Sequence, residues 1–220
     1  MEGSGNSFIV VDNRERQIKN LKEFAAKESK SQSVDGVLSI EKPEQKGTDF
    51  FMRIVNSDGS EAEACGNGYR VVGLYASKYL NIPNPKFIRV GTSEGPVIID
   101  AASPQAIKVK MLNPTDYQKR IEIKMGQKSL PASFINTGVP HTVIFADDVK
   151  NIAVDTLGRT IRYHKMFKPK GTNVNFVEVT GKNSLAIRTY ERGVEAETLA
   201  CGTGSVAAAI IANLDACSLL

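Results

Sequence analysis

Two cysteines in matching glycine-rich segments carry the chemistry that this sequence predicts. Cys65 lies in Ala-Cys-Gly-Asn-Gly and Cys201 in Ala-Cys-Gly-Thr-Gly, and an apolar, helix-like run follows each of them. At the first turn of a helix, unsatisfied backbone N–H groups and the positive end of the dipole favour a thiolate. Two such cysteines from related halves of one chain suggest a sulfur acid or base on each side of a substrate. That arrangement suits moving a proton from one face of a carbon atom to the other.

Other roles for these cysteines have less support. A single intracellular cysteine is most often a small buried hydrophobic residue, but two in the same glycine-flanked context favour a shared function. A metal site is disfavoured, because neither cysteine is in a Cys-x-x-Cys pair and His141 and His164 are not at ligand spacing from them. A disulfide between the two cysteines would inactivate such a site. Cys217 lacks the glycine-rich context, so we interpret it as incidental.

Composition narrows the class of protein. The 220 residues are 41% hydrophobic and 24% charged, with a net charge of +4, which is typical of a globular protein. No apolar run reaches the length of a membrane span, and the N-terminus does not resemble a secretory signal. An odd number of cysteines fits a reducing compartment. We therefore expect a cytoplasmic protein that binds a small molecule, with neither a nucleic acid nor a membrane as its partner.

The chain divides best at Asn113-Pro114, into residues 1–113 with the first motif and residues 114–220 with the second. Asn6 precedes Cys65 by 59 residues (65 − 6), and His141 precedes Cys201 by 60 (201 − 141). These intervals predict a duplicated plan. Apolar runs between Gly and Pro predict strands at 7–12, 36–41, 50–56, 87–91, 97–102, 106–112, 132–136, 142–146, 172–179 and 184–190. Helices are predicted around 18–30, from Cys65 to about residue 80, over 152–163 and after Cys201, and the two that follow the cysteines are apolar enough to be buried on all sides.

Polar residues cluster beside the same landmarks. Asn56 ends a strand shortly before Cys65, and Glu191-Arg192 ends one shortly before Cys201. Each has an ordinary structural interpretation, since Asn56 suits a turn and Glu191-Arg192 an exposed ion pair. His141 follows Pro140 and could equally be a structural histidine. The residues alone leave these alternatives open.

Taken together, the motifs resemble diaminopimelate epimerases, a family of cofactor-independent enzymes of lysine and peptidoglycan precursor synthesis. The strings Cys-Gly-Asn-Gly at 65–68 and Glu-Thr-Leu-Ala-Cys-Gly-Thr-Gly at 197–204 are highly specific in combination. The matching stretches follow the family order over nearly the whole chain and are residues 3–12, 58–61, 65–70, 140–141, 171–177, 191–193 and 197–204.

The resemblance implies a fold and a reaction. The fold is α/β (α+β), with two pseudo-symmetric halves, each a mainly antiparallel sheet wrapped around a central helix. The reaction is the epimerisation of LL-diaminopimelate to meso-diaminopimelate without pyridoxal phosphate (PLP), any other cofactor or a metal. One cysteine thiolate removes the α-proton, and the other thiol delivers a proton to the opposite face. The expected partners are an amino-acid substrate and a second copy of the chain in a homodimer.

The resemblance also assigns roles to residues. Cys65 and Cys201 would be the two catalytic groups, exchanging roles with the direction of the reaction. His141 and Glu191 match supporting residues near the reacting amine and thiols, and Glu191 also counts among the substrate-binding positions. The remaining substrate-binding positions divide between the reacting carboxylate, held by Gly66, Asn67, Gly202 and Thr203, and the rest of the substrate, held by Asn6, Asn56, Asn173 and Arg192. Of the latter group, the last three would fix the distal amino-acid end.

Three departures from the family pattern leave alternatives open. Val139 stands where an asparagine is usual, which removes an amide from distal-end recognition, and Ser7 replaces a common aspartate. The sequence also ends at Leu220, where the family continues for several more strands, so the second half is expected to be shortened and its helix partly unwrapped. The alternatives are a related racemase of another amino acid and a truncated, catalytically silent homologue that retains ligand binding.

Overall fold

The computed structural model describes residues 1–62 and 64–216. The chain forms two compact units, Met1–Leu112 and Asn113–Leu220, and each contains one sheet. Cys217 lies outside the described residues. Within the described part of the chain, no helix has the length and apolar character needed to cross a membrane.

The first unit contains a seven-stranded sheet whose strands lie side by side in the order of the sequence. Two helices accompany it, α1 (Leu21–Gln32) and α2 (Gly66–Tyr79). The strands are β1 (Glu2–Gly3), β2 (Asn6–Asp12), β3 (Gly36–Glu41), β4 (Phe50–Asn56), β5 (Ile88–Gly91), β6 (Val97–Asp100) and β7 (Lys108–Lys110). Helix α2 contacts β1 and β2 near one end of the sheet and β6 and β7 at the other. The sheet therefore wraps around α2.

The second unit contains a six-stranded sheet whose strands also lie side by side in the order of the sequence. Its helices are α3 (Val154–Arg162) and α4 (Gly202–Ala216). The strands are β8 (Thr115–Met125), β9 (Lys128–Asn136), β10 (Pro140–Phe145), β11 (Asn173–Gly181), β12 (Ser184–Glu191) and β13 (Ala196–Thr198). Helix α3 packs on β11, β12 and β13, whereas α4 packs on β9 through β12.

The two units repeat one order of elements. In each, a strand is followed by a helix and a parallel neighbour (β2-α1-β3 and β10-α3-β11). An antiparallel strand comes next (β4 and β12), and then the helix that follows the cysteine (α2 and α4). The other strand pairs are mostly antiparallel. The expected mixed α/β fold with pseudo-symmetric, mainly antiparallel halves is confirmed.

Apolar runs form the central strands because helices cover both faces of the sheet. Along β3, Val37 packs into the cluster beneath α1, and its neighbour Leu38 packs into the cluster that contains α2. Successive side chains on a strand point to opposite faces, so a strand covered on both sides is apolar throughout. In the second unit, Phe176 and Val177 divide in the same way between the α3 and α4 clusters.

The expectation that both post-cysteine helices are buried on all sides is wrong for α4. Val206 and Leu214 are 40% and 44% exposed. One side of α4, with Ala207, Ala208 and Ile211, packs against the sheet. The side with Val206 and Leu214 is partly exposed, in line with the expectation that this helix is partly unwrapped. The predicted strands are present with small shifts at their ends, while β1, β8 and β13 have no counterpart in the sequence-based prediction.

The contact between α3 and the sheet yields a test of this packing. A Cβ atom at Gly158 would clash with the Cβ of Tyr190 on β12. Gly158→Ala should therefore destabilise the protein by about 1–3 kcal/mol, although alanine is the better helix former. Urea denaturation measures this change. Gly181→Ala is the matched control, because its Cβ would lie 3.8 Å from the nearest atom, Cβ of Ser184; equal stability of the two variants would contradict the packing described.

Candidate active site

Cys65 caps the N-terminus of α2. It has an extended backbone, and its Sγ accepts a hydrogen bond from the Gly68 N–H at 3.3 Å. Sulfur thus takes the place that a serine or aspartate oxygen fills in a common N-cap. The side chain is half-buried, and a Cβ at Gly68 would lie 3.5 Å from Sγ and 3.2 Å from Cδ2 of Leu38. The glycine lets the first helical turn approach the sheet closely, which fixes the sulfur at the helix start.

Two predicted binding residues of the first unit meet beside this cysteine. Asn67 Nδ2 donates to Asn6 Oδ1 at 2.8 Å. Arg70 Nη1 donates to Asn67 Oδ1 at 3.0 Å, and Asp35 accepts from the N–H of Ser7 at 2.7 Å. The hydrogen bond between Asn67 and Asn6 joins the first turn of α2 to the start of β2. The sequence reasoning missed Arg70 as part of this cluster; it lies one helical turn beyond Asn67.

Asn56 holds a turn. Its Nδ2 donates to Ser60 Oγ at 3.0 Å, and its N–H donates to the Ser60 carbonyl at 2.8 Å. Gly59, at φ +84, allows the chain to reverse there. These contacts agree with the interpretation of Asn56 as a turn residue. Its contact with a substrate stays a prediction.

Cys201 lies immediately before α4 and is 6% exposed. Its Sγ is 3.5 Å from Thr203 Oγ1, and it also makes hydrogen bonds with the Gly204 N–H and the Glu191 side chain. Burial raises the pKa of the Cys201 thiol to about 12, and the negative charge of Glu191 adds to this shift. The donors at Thr203 and Gly204 lower the pKa but do not outweigh burial. A thiolate is expected at this helix start, but Cys201 is a neutral thiol near pH 7.

His141 is fully buried at the start of β10. Its Nε2 is 2.9 Å from Thr203 Oγ1, and its Nδ1 is 3.1 Å from Asn175 Nδ2. Burial, with a smaller effect of the positive charge of Arg192, lowers the pKa of His141 to about 3. The imidazole is therefore neutral near pH 7 and supports Thr203 through a hydrogen bond.

The side-chain amide of Asn173 forms hydrogen bonds with backbone groups. Its Nδ2 donates to the Pro140 carbonyl at 3.0 Å, and its Oδ1 accepts from the Arg192 N–H at 2.8 Å. These contacts tie β11 to the start of β10 and to the end of β12. Asn173 thus fixes the turn that carries Arg192, and direct contact of either residue with a substrate stays a prediction.

The similar spacing in the sequence, 59 and 60 residues, corresponds to similar contacts in the two units. Asn6 touches Asn67, two residues after Cys65, and His141 touches Thr203, two residues after Cys201. In each unit, a polar residue at the start of a strand therefore holds the first turn of the helix that follows the cysteine. The sequence reasoning missed Asn175, which also contacts this cluster. The Asn-Val-Asn alternation at 173–175 was its available signal, because residues two apart in a strand share a face.

The burial of His141 predicts a pH dependence of stability. The pKa of its ring is about 3 in the folded protein against an ordinary value of 6.5, so the unfolded chain binds the extra proton between these values. Stability is then lost as the pH falls from 6.5 toward 3, by about 1.4 kcal/mol per pH unit. Urea midpoints at neutral pH and about pH 5 measure this loss for the wild type and for His141→Gln. The variant should lose about 2 kcal/mol less over that interval, and parallel losses would contradict the assignment.

Known proteins share both sequence and fold with this chain. The family described as diaminopimelate epimerase matches residues 1–115 and 133–218. Diaminopimelate epimerases of Hydrogenobaculum sp. and Aquifex aeolicus are 45% and 39% identical to it, each over 97% of this chain and 81% and 80% of the relative. The diaminopimelate epimerase of Methanocella arvoryzae is 42% identical over 97% of this chain and 80% of its own length.

Among solved structures, a probable proline racemase from Agrobacterium radiobacter has a TM-score of 0.70 at 14% identity, covering 100% of this chain and 76% of the other. A hydroxyproline epimerase from Agrobacterium vitis also has a TM-score of 0.70, at 13% identity with the same coverage. These likenesses concern the fold alone. The family match and the identities of the relatives are far stronger, and they show that this chain belongs to the diaminopimelate epimerase family.

Proposed function

We propose that this chain interconverts LL- and meso-diaminopimelate without PLP, by a two-base thiol mechanism, in lysine and peptidoglycan precursor synthesis. The observation that carries the proposal is the repeated placement of a cysteine at the start of a helix, with the following turn held by a polar strand residue in each unit. Membership of the family supplies the substrate.

The chemistry requires a base and an acid on opposite faces of the α-carbon. We assign Cys65 and Cys201 to these two roles. In one direction the Cys65 thiolate takes the α-proton, and the Cys201 thiol gives its own proton to the other face. The high pKa of Cys201 favours the protonated form that this step needs. In the reverse direction the roles exchange: the Cys201 thiolate removes the α-proton, and the Cys65 thiol gives its proton to the other face.

Carbanion character at the α-carbon must be stabilised without a cofactor. The substrate carboxylate already bears charge, and helix N-termini present N–H groups without a carbonyl partner in the helix. We propose that Gly66, Asn67, Gly202 and Thr203 supply these donors. Preorganised dipoles of this kind are among the largest contributions to catalysis.

The rest of the substrate is assigned by the family resemblance. Asn6 would contact the substrate near α2, and Asn56, Asn173 and Arg192 would hold the distal amino-acid end. Val139, 7% exposed, occupies the position of a usual asparagine. This residue favours the second candidate, a racemase of another amino acid, because an apolar side chain cannot accept or donate at the distal end. A homodimer and a cytoplasmic location stay predictions, for which sedimentation and cell fractionation are the direct measurements.

Solvent exchange tests the substrate and the reaction together. In deuterated water under reducing conditions, the α-proton NMR signal of LL- and of meso-diaminopimelate should disappear as each isomer converts to the other. Exchange with another amino acid but not with diaminopimelate would establish the second candidate. If no amino acid of a substrate panel exchanges its α-proton, the chain is the catalytically silent homologue.

Cysteine variants test the two catalytic assignments. Cys65→Ala and Cys201→Ala should each lower the exchange rate by at least about a hundredfold, since each removes one acid–base group. Circular dichroism should show that both variants remain folded. Cys217→Ala is the matched control and should keep the wild-type rate. Full activity in Cys65→Ala or in Cys201→Ala would contradict the two-base mechanism.

A further inference from the structure

Asn175 lies on β11 beneath the start of α4, with its side chain fully buried. Its Nδ2 donates to the Thr142 carbonyl at 3.1 Å and lies 3.1 Å from His141 Nδ1. Its Oδ1 accepts from Thr189 Oγ1 at 3.0 Å. Asn175 therefore links two neighbouring strands to the histidine that supports the Cys201 helix start.

These contacts fix the tautomer of His141. A backbone carbonyl can only accept a hydrogen bond, so the side-chain atom of Asn175 that faces Thr142 must be the amide nitrogen. The same nitrogen then donates its second proton to His141 Nδ1, which must be the bare, accepting nitrogen. In a neutral imidazole the proton is left on Nε2.

The tautomer in turn sets the direction of the next two hydrogen bonds. The Nε2–H of His141 donates to Thr203 Oγ1 at 2.9 Å. Thr203 is also held through its carbonyl, which accepts from Thr137 Oγ1 at 3.1 Å. The Thr203 hydroxyl, which accepts from His141, keeps its own proton to donate, and Cys201 Sγ lies 3.5 Å away as a partner for it.

We propose that Asn175 is a positioning residue for Cys201: it holds His141 as the Nε2–H tautomer, so that the Thr203 hydroxyl is directed at the sulfur. The inference rests on the proposed function for its consequence, which is a donor ready to stabilise the Cys201 thiolate in each turnover. Its geometry is independent of the substrate. Removing Asn175 leaves Nδ1 free to carry the proton and lets the Thr203 hydroxyl turn away from sulfur.

The first unit provides the natural comparison. A Cβ at Gly68 would meet Leu38 Cδ2 on β3, and a Cβ at Gly204 would meet Asn175 Oδ1 on β11. Leu38 and Asn175 therefore occupy corresponding places beneath the two helix starts. Asn175→Leu gives the second unit the residue of the first, with a side chain of similar size that cannot hydrogen-bond.

Two measurements on the full chain test the inference without substrate. The ¹⁵N NMR spectrum of the histidine ring reports which nitrogen of His141 carries the proton. The rate of carboxamidomethylation by iodoacetamide, followed by mass spectrometry of the peptide that contains Cys201, reports how much thiolate Cys201 forms. Wild type should show a protonated Nε2 and a bare Nδ1.

The variants should change both readouts. In Asn175→Leu, the Nδ1–H tautomer should appear, and Cys201 should be alkylated about tenfold or more slowly at a fixed pH, because a hydrogen bond to a charged group is lost. In Asn175→Asp, the carboxylate accepts from Nδ1–H, so the tautomer should reverse and alkylation should slow as well. Asn13→Ala is the control, since Asn13 is a buried asparagine of the first unit whose side chain is hydrogen-bonded to Ile18. It should leave the tautomer and the alkylation rate of Cys201 unchanged.

The outcomes separate this inference from the proposed function. An unchanged tautomer in folded Asn175→Leu or Asn175→Asp, or wild-type alkylation of Cys201 in both, would overturn the inference. If Asn175→Leu does not fold, Asn175→Asp decides by the same two readouts. The expected tautomer and alkylation changes in a protein that exchanges no α-proton of diaminopimelate would support the inference and contradict the proposed function alone.

Discussion

The close packing of a helix start onto a buried strand determines the geometry around both cysteines. A Cβ at Gly204 would clash with the Asn175 side chain on β11, and one at Gly68 would lie only 3.2 Å from Leu38 Cδ2 on β3, so glycine lets the first turns of α2 and α4 approach the sheet closely. This approach holds the sulfur of the preceding cysteine beside the backbone N–H groups of the helix. The remaining parts of each unit, including the capping contacts Asn6–Asn67 and His141–Thr203, keep this helix start in place.

The same geometry surrounds the two sulfur atoms with different residues. Beneath Gly68 lies the apolar side chain of Leu38, whereas beneath Gly204 lies the amide of Asn175. At Cys201, burial and the charge of Glu191 oppose the helix start and prevail, because the loss of hydration of a thiolate costs more than a few directed donors return. Similar backbones therefore carry sulfurs in chemically distinct surroundings, which suits a reaction that needs an acid and a base at the same time.

The buried polar side chains near Cys201 form hydrogen bonds with one another. His141 has partners on both ring nitrogens, and Asn175 uses its nitrogen and its oxygen. Such networks specify one arrangement of side chains, since any unpaired member would be costly in the interior. Two solved structures share this fold at 14% and 13% identity, so the sheet-and-helix scaffold tolerates wide changes in sequence.

The sequence alone determined the helices, most of the strands, the repeat and the cysteine motifs, because apolar periodicity and glycine-rich turns are local signals. It placed Asn6 and His141 at nearly the same distance along the chain from the cysteines, and the structure shows the corresponding contacts. Only the tertiary structure decided the burial of Cys201 and the part played by Asn175. These depend on which surfaces of distant segments meet, and burial changes a pKa through neighbours that a linear pattern does not contain.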